Sequence, residues 1–367
     1  MLEAIAPAVG DGGIAIEDPA RSVVVHVPAR LAPATIGAMV FPAAIAALPR
    51  FGLVDAPSPL APLRRFSEAL GGGAEVWIKR EDLLPLAFGG NKLRNLEFLV
   101  GAALAEGADT LITSGRRWSN HCRLTAAAGA RAGLDVHLVL TGPPPAAGDE
   151  GPNHRLDELL GATVHIAPTD ARAERAGLVE SVAADLRAAG RRPFVIGVGG
   201  TGPIGAAGQV LAGLELADQL AGAGVGAATV VLPSATGGTQ AGLVAGLALA
   251  APPVRDVLGI AVAAPAAELR PTILGILEGL APLAGGVVSG DRVVLDDDQL
   301  GAGYGRPTAA ADEAARILGR TEGILVDPIY TAKALAGLVA RVRDGRLSGP
   351  VVFWHAGGTP GLFERLS

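Results

Sequence analysis

The feature that most constrains the fold is an alternation between short apolar runs and helical segments, which begins near Ala74. Continuous apolar runs bounded by turn residues predict strands that are buried on both faces of a sheet. The segments between them are rich in helix-forming residues, and several end at a glycine. This alternation is typical of parallel βαβ units with helices on both faces. The chain is therefore predicted to be an α/β protein.

The alternation divides the chain into predicted elements, and a glycine- and proline-rich loop interrupts it. Strands are predicted at residues 75–79, 109–115, 136–142, 162–168, 229–233, 257–263 and 351–358. Helices are predicted at residues 95–107, 124–133, 156–161 and 240–250, and a further helix ends at Ala221. The loop at residues 197–208 is predicted to mark a return to another domain. Upstream, Ser22–Ala29 is either a strand or part of an irregular arm, because termini are often loosely held.

The composition indicates a folded protein without a nucleic-acid partner. Half of the 367 residues are hydrophobic, only 4% are aromatic, and the formal net charge is -6. A chain of this length can bury two cores, whereas disorder requires low hydrophobicity and high charge. Nucleic-acid binding requires a basic stripe, and this sequence has none.

Three features favour a cytoplasmic protein that does not enter a membrane. The single cysteine, Cys122, excludes an internal disulfide and suits a reducing compartment. The N-terminus lacks the basic region that opens a secretory signal. The apolar run Ile36–Leu48 is too short to span a bilayer, and Pro42 interrupts it. We therefore expect a soluble cytoplasmic protein.

The first motif with chemical content is GGNKLRNLEFL at Gly89–Leu99, where Lys92 stands at the start of a helix. A lysine that forms an imine must lose its proton near neutral pH, although a free lysine titrates at about 10.4. The positive end of a helix and glycines that permit close approach both favour this chemistry. Most lysines are nevertheless solvated surface charges, so this motif alone is weak evidence.

The second motif is PSATGGTQAGL at Pro233–Leu243, between an apolar strand and a helix. Backbone N–H groups at such a helix start form a cradle for an anion. The hydroxyls of Thr236 and Thr239 add two more donors. The alternative is an ordinary strand-to-helix turn, and a P-loop is excluded because no lysine follows the last glycine.

The third motif is SNHC at Ser119–Cys122, which follows a strand. Ligands bind at the carboxyl ends of strands in open α/β sheets. The alternative is that Ser119 or Asn120 only caps the next helix. A reactive pair of Cys122 with His121 is disfavoured because adjacent side chains rarely face each other, so a buried apolar cysteine is predicted.

The fourth motif contains the only two tyrosines of the chain. Tyr304 lies in GYG at residues 303–305, and Tyr330 lies in DPIYTAK at residues 327–333. Their position in loops bordered by glycine or proline is suggestive in a chain so poor in aromatic residues. The alternative is ordinary half-buried packing.

Two further patterns are interpreted as having no cofactor or metal function. Glycines 197, 199 and 202 satisfy G-x-G-x-x-G, but no acidic residue follows at a strand end to hold a ribose, and Glu215 and Asp218 are predicted within a helix. The triplet Asp296–Asp298 is predicted to be a solvated turn after a strand. No metal site is therefore expected.

Taken together and in this order, the motifs resemble the pyridoxal-phosphate (PLP) enzymes related to D-cysteine desulfhydrase and 1-aminocyclopropane-1-carboxylate deaminase. The likeness runs from about Leu48 to the C-terminus. It is strongest in KREDLLPLAFGGNKLRNLEFL, GYGRPT, VDPIYTAKALAGL and HAGGTPGLF. It implies a tryptophan-synthase-β-like fold (PLP fold type II), with two open, twisted, mostly parallel sheets. It also implies an N-terminal arm at 1–45, a large PLP-binding domain at 46–94 and 200–367, and a small domain at 95–199.

The resemblance also implies the cofactor contacts. Lys92 matches the Schiff-base lysine of the family, and Asn120 matches the asparagine beside the ring oxygen of the cofactor. Thr331 matches the partner of the pyridine nitrogen. The phosphate loop matches four consecutive residues, Thr236, Gly237, Gly238 and Thr239.

The substrate side is implied in the same way. Ser119 and His121 match residues around the substrate carboxylate and the imine, and we predict that Asn120 and the adjacent Trp118 also contact the substrate. Tyr304 and Tyr330 match the two active-site tyrosines. The predicted catalytic residues are therefore Lys92, Ser119, Tyr304 and Tyr330.

Several residues depart from the family pattern. Arg116, Arg117 and Trp118 replace a small residue, an aliphatic residue and glutamine; an arginine there either clamps a second anionic group or is a solvated charge. Further departures are Thr201 and Gly202 before Pro203, Gln209 for a tyrosine, and alanines at positions 235, 332 and 356. The cofactor motifs are thus intact while the substrate side is altered.

We predict a PLP-dependent lyase that removes the β-substituent of a small, D-cysteine-like amino acid and yields a 2-oxo acid and ammonia. Elimination is favoured because Thr331 replaces a glutamate of the deaminase branch. The alternatives are a ring-opening deaminase, a β-replacement enzyme, and a PLP-binding protein without turnover. A nicotinamide-dependent oxidoreductase rests only on the glycine pattern. The resemblance also suggests a homodimer.

Overall fold

The computed structural model describes residues 42–142, 150–167, 169, 171–250, 254–286 and 288–364. The predicted strand or arm at Ser22–Ala29 lies outside these residues. The strands are β1 (Leu60–Pro62), β2 (Ala74–Arg80), β3 (Thr110–Arg116), β4 (Asp135–Thr141), β5 (Thr163–Ala167), β6 (Pro193–Val195), β7 (Ala228–Ser234), β8 (Val254–Ala261), β9 (Val293–Asp296) and β10 (Gly349–His355).

Eleven α-helices are present in the described part of the chain. They are α1 (Ala43–Ala46), α2 (Arg64–Ala69), α3 (Lys92–Ala105), α4 (Asn120–Ala132), α5 (Pro152–Leu159), α6 (Arg172–Ala188), α7 (Pro203–Gly222), α8 (Gly238–Leu249), α9 (Ala266–Ala284), α10 (Ala309–Glu322) and α11 (Thr331–Arg343). None of these helices is long and apolar enough to cross a membrane.

The strands form two sheets, as predicted. A six-stranded sheet has the order β1-β2-β10-β7-β8-β9, and only its edge strand β1 is antiparallel to its neighbour. A four-stranded sheet has the order β5-β4-β3-β6 and is fully parallel. The first sheet draws on residues 60–80 and 228–355, and the second on residues 110–195. The division of the chain into a large and a small domain stays a prediction.

Helices cover both faces of the six-stranded sheet because its central strands are apolar throughout. On β7, Val230 packs into a core with α7, α8 and α9, whereas Val231 faces a second core with α2, α10 and α11. On β10, Val352 and Phe353 divide in the same way. The alternating side chains of each strand therefore supply two cores, which confirms the predicted layered arrangement.

Several helices begin earlier than the sequence predicted. Helix α3 begins at Lys92 rather than residue 95, and α4 begins at Asn120 rather than residue 124. The hydroxyl of Ser119 accepts a hydrogen bond from the Cys122 backbone N–H at 3.2 Å, and this cap starts α4. Polar first turns do not show in hydrophobic periodicity, so the periodicity alone places these two helix starts a few residues too late.

The acidic triplet Asp296–Asp298, which begins with the last residue of β9, differs from the prediction of a solvated turn. Asp297 and Asp298 are exposed, but Asp296 is buried. Its carboxylate accepts a hydrogen bond from Arg341 Nε at 2.7 Å and another from the Asp298 backbone N–H at 2.8 Å. Burial of Asp296 is tolerated because the charge is paired. The described residues contain no group of three side chains that could hold a metal ion.

A buried ion network fixes α3 against α7 and β2. The guanidinium of Arg94 donates to Glu81 at 2.7 Å and to Glu215 at 2.9 Å, and Glu215 also pairs with Lys79. All four side chains are at most 5% exposed. Breaking a buried pair leaves an uncompensated charge, which is strongly destabilising. The network therefore holds the first turn of α3, and with it Lys92, in a fixed position.

Candidate active site

A cavity of about 280 Å³ lies where the carboxyl ends of β3, β7 and β10 meet the first turns of α3, α4 and α8. Ligands bind at this edge in open α/β sheets. The cavity brings together nine of the predicted site residues: Lys92, Ser119, Asn120, His121, Thr236, Gly237, Thr239, Tyr304 and Tyr330. Three other predicted residues, Trp118, Gly238 and Thr331, lie outside its lining.

Lys92 is the first residue of α3, and its surroundings favour a nucleophilic role for its amine. The sequence contains only three lysines. Lys79 is paired with Glu215, and Lys333 donates to two backbone carbonyls, so Lys92 is the one that lines the cavity. Burial lowers the pKa of Lys92 to about 8. No carboxylate among the described residues pairs with this amine, which keeps its neutral form accessible near neutral pH.

The turn between β7 and α8 has the backbone geometry that the predicted cradle requires. Gly237 has a φ of +81°, and a Cβ there would lie 2.6 Å from Ile273 Cγ1, so only glycine fits. Helix α8 begins at the next residue and directs its first backbone N–H groups out of the helix end. A Cβ at Gly238 would be 3.5 Å from the Thr201 side chain, an ordinary contact. The contribution of Gly238 therefore comes from its backbone.

The two threonines of the cradle are prepared to donate hydrogen bonds to an anion. The Thr236 hydroxyl accepts from the Thr201 hydroxyl at 2.6 Å. The Thr239 hydroxyl accepts from Asn91 Nδ2 at 2.8 Å. A hydroxyl has one proton, and in both threonines this proton is left for a ligand. Backbone N–H groups and hydroxyl donors around a glycine turn fit a phosphate group.

The first turn of α4 supplies the predicted substrate-side residues. Asn120 Oδ1 accepts from Arg123 Nη1 at 2.8 Å and lies 3.4 Å from Asn153 Nδ2. Its own amide Nδ2 is therefore the group left to donate to a ligand oxygen. Ser119 lies beside it, and its hydroxyl oxygen, which caps α4, keeps its proton for a second donation.

His121 is neutral, and its tautomer follows from its hydrogen bonds. The Thr113 hydroxyl donates its proton to the Ile196 carbonyl at 2.9 Å. The contact of 3.0 Å between Thr113 Oγ1 and His121 Nε2 must then have the imidazole as donor. Burial, with the charge of Lys92, lowers the pKa of His121 to about 3. Its Nδ1 is a buried acceptor without a partner among the described residues.

Tyr304 and Tyr330 meet at their hydroxyl groups, and their ring centroids are 5.9 Å apart. Burial raises the pKa of both phenols, and that of Tyr330 rises well above its ordinary value. Both hydroxyls are therefore protonated at neutral pH. The hydrogen bond between the two hydroxyls uses one of their two protons, so the other proton remains for an acceptor in the cavity.

The loop that carries Tyr304 is anchored by a buried lysine that the sequence did not single out. Lys333 Nζ donates to the carbonyls of Leu300 and Gly303, at 2.8 and 3.1 Å. Lys333 belongs to α11, which begins directly after Tyr330. The same helix therefore positions both tyrosines. A buried lysine within a helix gives no sequence signal of such a role.

Trp118 and Thr331 lie behind the cavity wall. The Trp118 ring packs edge-on against Tyr304, with centroids 5.9 Å apart, so it supports the tyrosine rather than lining the cavity. The Thr331 hydroxyl donates to Asp327 Oδ1 at 2.5 Å and accepts from the Asp327 backbone N–H at 2.9 Å. Its proton is thus already used, and only a lone pair is left for a ligand. Direct contacts of both residues with ligands stay predictions.

Other lining residues were not predicted. Asn91 links the start of α3 to the cradle, and Val198 and Gly199 belong to the loop whose glycine pattern suggested only a dinucleotide motif. Arg175, in the first turn of α6, also lines the cavity. Its distance from every motif along the chain explains why the sequence did not indicate it. Cys122 is fully buried beside the site, as predicted.

Comparisons with known proteins agree with this geometry. A family of pyridoxal-phosphate-dependent enzymes matches residues 53–357. The chain is 41% identical over 320 residues to D-cysteine desulfhydrase of Salmonella choleraesuis (strain SC-B67), covering 86% of this chain and 95% of that protein. D-cysteine desulfhydrase of Salmonella paratyphi C (strain RKS4594) matches with the same identity and coverage.

Solved structures show the same fold. A homologue of 1-aminocyclopropane-1-carboxylate (ACC) deaminase superposes with a TM-score of 0.81 at 36% identity, covering 88% of this chain and 95% of that chain. The processed form of threonine deaminase isoform 2 from Solanum lycopersicum superposes with a TM-score of 0.60 at 19% identity, covering 86% of this chain and 83% of that chain. This likeness supports the fold alone. The predicted PLP fold type II is confirmed, and the chain belongs to the pyridoxal-phosphate-dependent enzyme family.

Proposed function

We propose that this pyridoxal-phosphate-dependent lyase eliminates the β-substituent of a small, D-cysteine-like amino acid and releases a 2-oxo acid and ammonia. The observation that carries the proposal is that Lys92, the turn at the start of α8 and the polar first turn of α4 line one cavity. A reacting group thus shares the cavity with donors that fit a phosphate and with donors that fit an amino-acid carboxylate. The sequence identity to D-cysteine desulfhydrase supports the same reaction class.

The cavity fits the cofactor at both of its ends. The backbone at Gly237 and Gly238 and the hydroxyls of Thr236 and Thr239 would hold the phosphate, and Lys92 Nζ would hold the aldehyde carbon. Asn120 Nδ2 would donate to the ring oxygen. When bound, the cofactor supplies an electron sink for the pair that remains when the substrate loses its α-proton.

Lys92 is proposed to move the α-proton. The free amine of Lys92 would accept the proton from the substrate Cα. Its lowered pKa suits this role, because a base works best when its pKa lies near the working pH. Neutral His121 adds no positive charge beside Lys92 that would depress its basicity further.

The substrate carboxylate is proposed to lie at the first turn of α4. The Ser119 hydroxyl and the N-terminus of this helix would donate to it, since helix N-termini favour anions. The β-substituent would then face the two tyrosines. The remaining tyrosine proton would protonate or hydrogen-bond the leaving group as the bond to Cβ breaks. The product on release would be a 2-oxo acid, with ammonia formed by hydrolysis.

The test follows 2-oxo acid and ammonia release by the purified holoenzyme. D-cysteine, L-cysteine, both enantiomers of β-chloroalanine, and ACC form the substrate panel. We expect faster pyruvate release from β-substituted substrates than 2-oxobutyrate release from the cyclopropane substrate. Faster turnover of the cyclopropane substrate would instead establish the ring-opening alternative, which the tyrosine pair favours because it places an acid beside Cβ.

A homodimer in the cytoplasm belongs to the same proposal. It is supported by the family resemblance and by a single buried cysteine, which suits a reducing compartment. Light scattering of the purified protein tests the oligomeric state, and a mass of one protomer would contradict it.

A further inference from the structure

We propose that the substrate carries a second anionic group on its β-substituent, and that Arg116 and Arg175 bind this group. The inference rests on the proposed function, because it assigns the substrate class of that same cavity. Arg116 ends β3, and Arg175 lies in the first turn of α6. Both side chains line the cavity, although they are 59 residues apart in the chain.

The charge of the cavity wall is the first observation. Three lining residues are cationic, namely Lys92, Arg116 and Arg175. Among the lining residues that the structure describes there is no aspartate or glutamate. A concave surface with one sign of charge concentrates ligands of the opposite sign. The wall therefore suits a substrate with more negative charge than a simple amino acid.

The second observation is that neither arginine belongs to the phosphate cradle. The cradle is built from the turn after β7 and the start of α8, with Thr201 and Asn91 behind its threonines. The two arginines come from β3 and α6 in the part of the chain that forms the other sheet. They come from the same part of the chain as Ser119 and His121, the proposed substrate-side residues.

The position of Arg116 places its charge beside the proposed leaving group. The Trp118 ring packs edge-on against Tyr304, with ring centroids 5.9 Å apart, and Arg116 lies over the same Trp118 ring. The guanidinium carbon is 5.8 Å from the centroid of the Trp118 ring. Stacking on an aromatic face restricts the orientation of an arginine, and a guanidinium has five N–H donors with which to bind more than one partner.

Arg117 provides an internal comparison. It is adjacent to Arg116, and its guanidinium carbon is 5.7 Å from the same Trp118 ring. It does not line the cavity, and its Nη1 is 4.0 Å from Glu364 Oε2. The side chains of the two neighbouring arginines therefore have different surroundings, and Arg117 provides the matched control.

The elimination of an anionic β-substituent needs no added oxidant or reductant. With serine O-sulfate, the α-proton passes to Lys92 and the bond between Cβ and oxygen breaks. Sulfate leaves with the bonding electron pair, and hydrolysis then yields pyruvate and ammonia. A guanidinium beside the leaving group stabilises the negative charge that develops on it.

The first measurement is binding to the holoenzyme by calorimetry. Propanoate carries one anionic group, and 3-sulfopropanoate carries two with the same carbon chain. We expect 3-sulfopropanoate to bind about tenfold more tightly or better, the effect of one charge-assisted contact. Arg116→Met and Arg175→Met should each remove most of this difference, whereas Arg117→Met should retain it. Equal affinity of the two ligands would overturn the proposal.

The second measurement compares kcat/KM for serine O-sulfate and β-chloroalanine, which both give pyruvate. We expect kcat/KM for serine O-sulfate, divided by kcat/KM for β-chloroalanine, to exceed one in the wild type. This ratio should fall about tenfold in Arg116→Met and in Arg175→Met. Preference for β-chloroalanine with an unchanged ratio in both variants would overturn the substrate class while leaving the lyase reaction established. Release of pyruvate from neither substrate would refute the lyase reaction itself, and with it this inference.

Discussion

The two sides of the cavity differ in how they are built. On the proposed cofactor side, Lys92, Asn91 and the turn at Thr236–Thr239 lie at the starts of α3 and α8, and backbone geometry determines much of the site. On the substrate side, long side chains such as Arg116 and Arg175 come from distant elements. Backbone cradles recognise a constant group such as a phosphate. Side chains can be replaced one at a time, so the second side is where specificity can change.

The largest effect is expected on the cofactor side, for Lys92→Ala. Loss of the base should reduce 2-oxo acid release by about 10³-fold or more, since proton transfer by a positioned base contributes on this scale. Circular dichroism and thermal unfolding should stay close to the wild type, because Lys92 has no ion-pair partner among the described residues. Retention of wild-type turnover would mean that another group is the base.

A smaller loss is expected for Gly237→Val, which separates the backbone cradle from an ordinary turn. A side chain there clashes with Ile273 and is strained by the positive φ. We expect the dissociation constant of the cofactor to rise by about tenfold or more, a cost of one strained residue. Gly238→Ala is the matched control, since its Cβ meets only an ordinary contact. An unchanged dissociation constant in Gly237→Val would show that the turn does not form the cradle; thermal unfolding checks that both variants fold.

Lys333→Met sharpens the comparison because Lys333 affects only the substrate side. Loss of its hydrogen bonds to Leu300 and Gly303 should loosen the loop of Tyr304. We expect kcat to fall about tenfold, the effect of a misplaced acid, while the dissociation constant of the cofactor stays unchanged. Lys333→Arg should restore part of the rate. A parallel loss of cofactor affinity would indicate general unfolding of α11 instead.

The smallest effect is a pH dependence of cofactor capture by the cofactor-free protein. Burial lowers the pKa of Lys92 to about 8, and only the neutral amine attacks an aldehyde. The rate of capture should therefore rise as the pH increases toward 8 and level off above it. Stopped-flow absorbance between about pH 6 and 10 measures the rate. A rate that keeps rising throughout this range would indicate a lysine with an ordinary pKa.

The sequence predicted the cofactor side more completely than the substrate side. The strand-turn-helix order around Thr236 and the position of Lys92 follow from local pattern, and both lie where they were expected. The buried hydrogen bond between Thr331 and Asp327 could not be predicted from the sequence, because both residues belong to one motif that was assigned to a loop. Arg175 could not be predicted, since only the packing of α6 beside β3 brings it to the cavity.

The same limit applies to the fold. Long apolar strands such as β7 and β8 were predicted, because burial on both faces leaves a continuous pattern. The three-residue strands β1 and β6 were missed, since so few residues carry no periodicity. Their place in the sheets depends on backbone pairing with β2 and β3, which is a tertiary property.

The most direct test of the central claim is to locate the covalent cofactor. The holoenzyme is reduced with borohydride and digested, and the peptides are analysed by mass spectrometry. With only three lysines in the chain, the outcome is unambiguous. We predict that the phosphopyridoxyl mass is found on Lys92. Its attachment to Lys79 or Lys333, or its absence from all three, would contradict the assignment of this cavity as a pyridoxal-phosphate site.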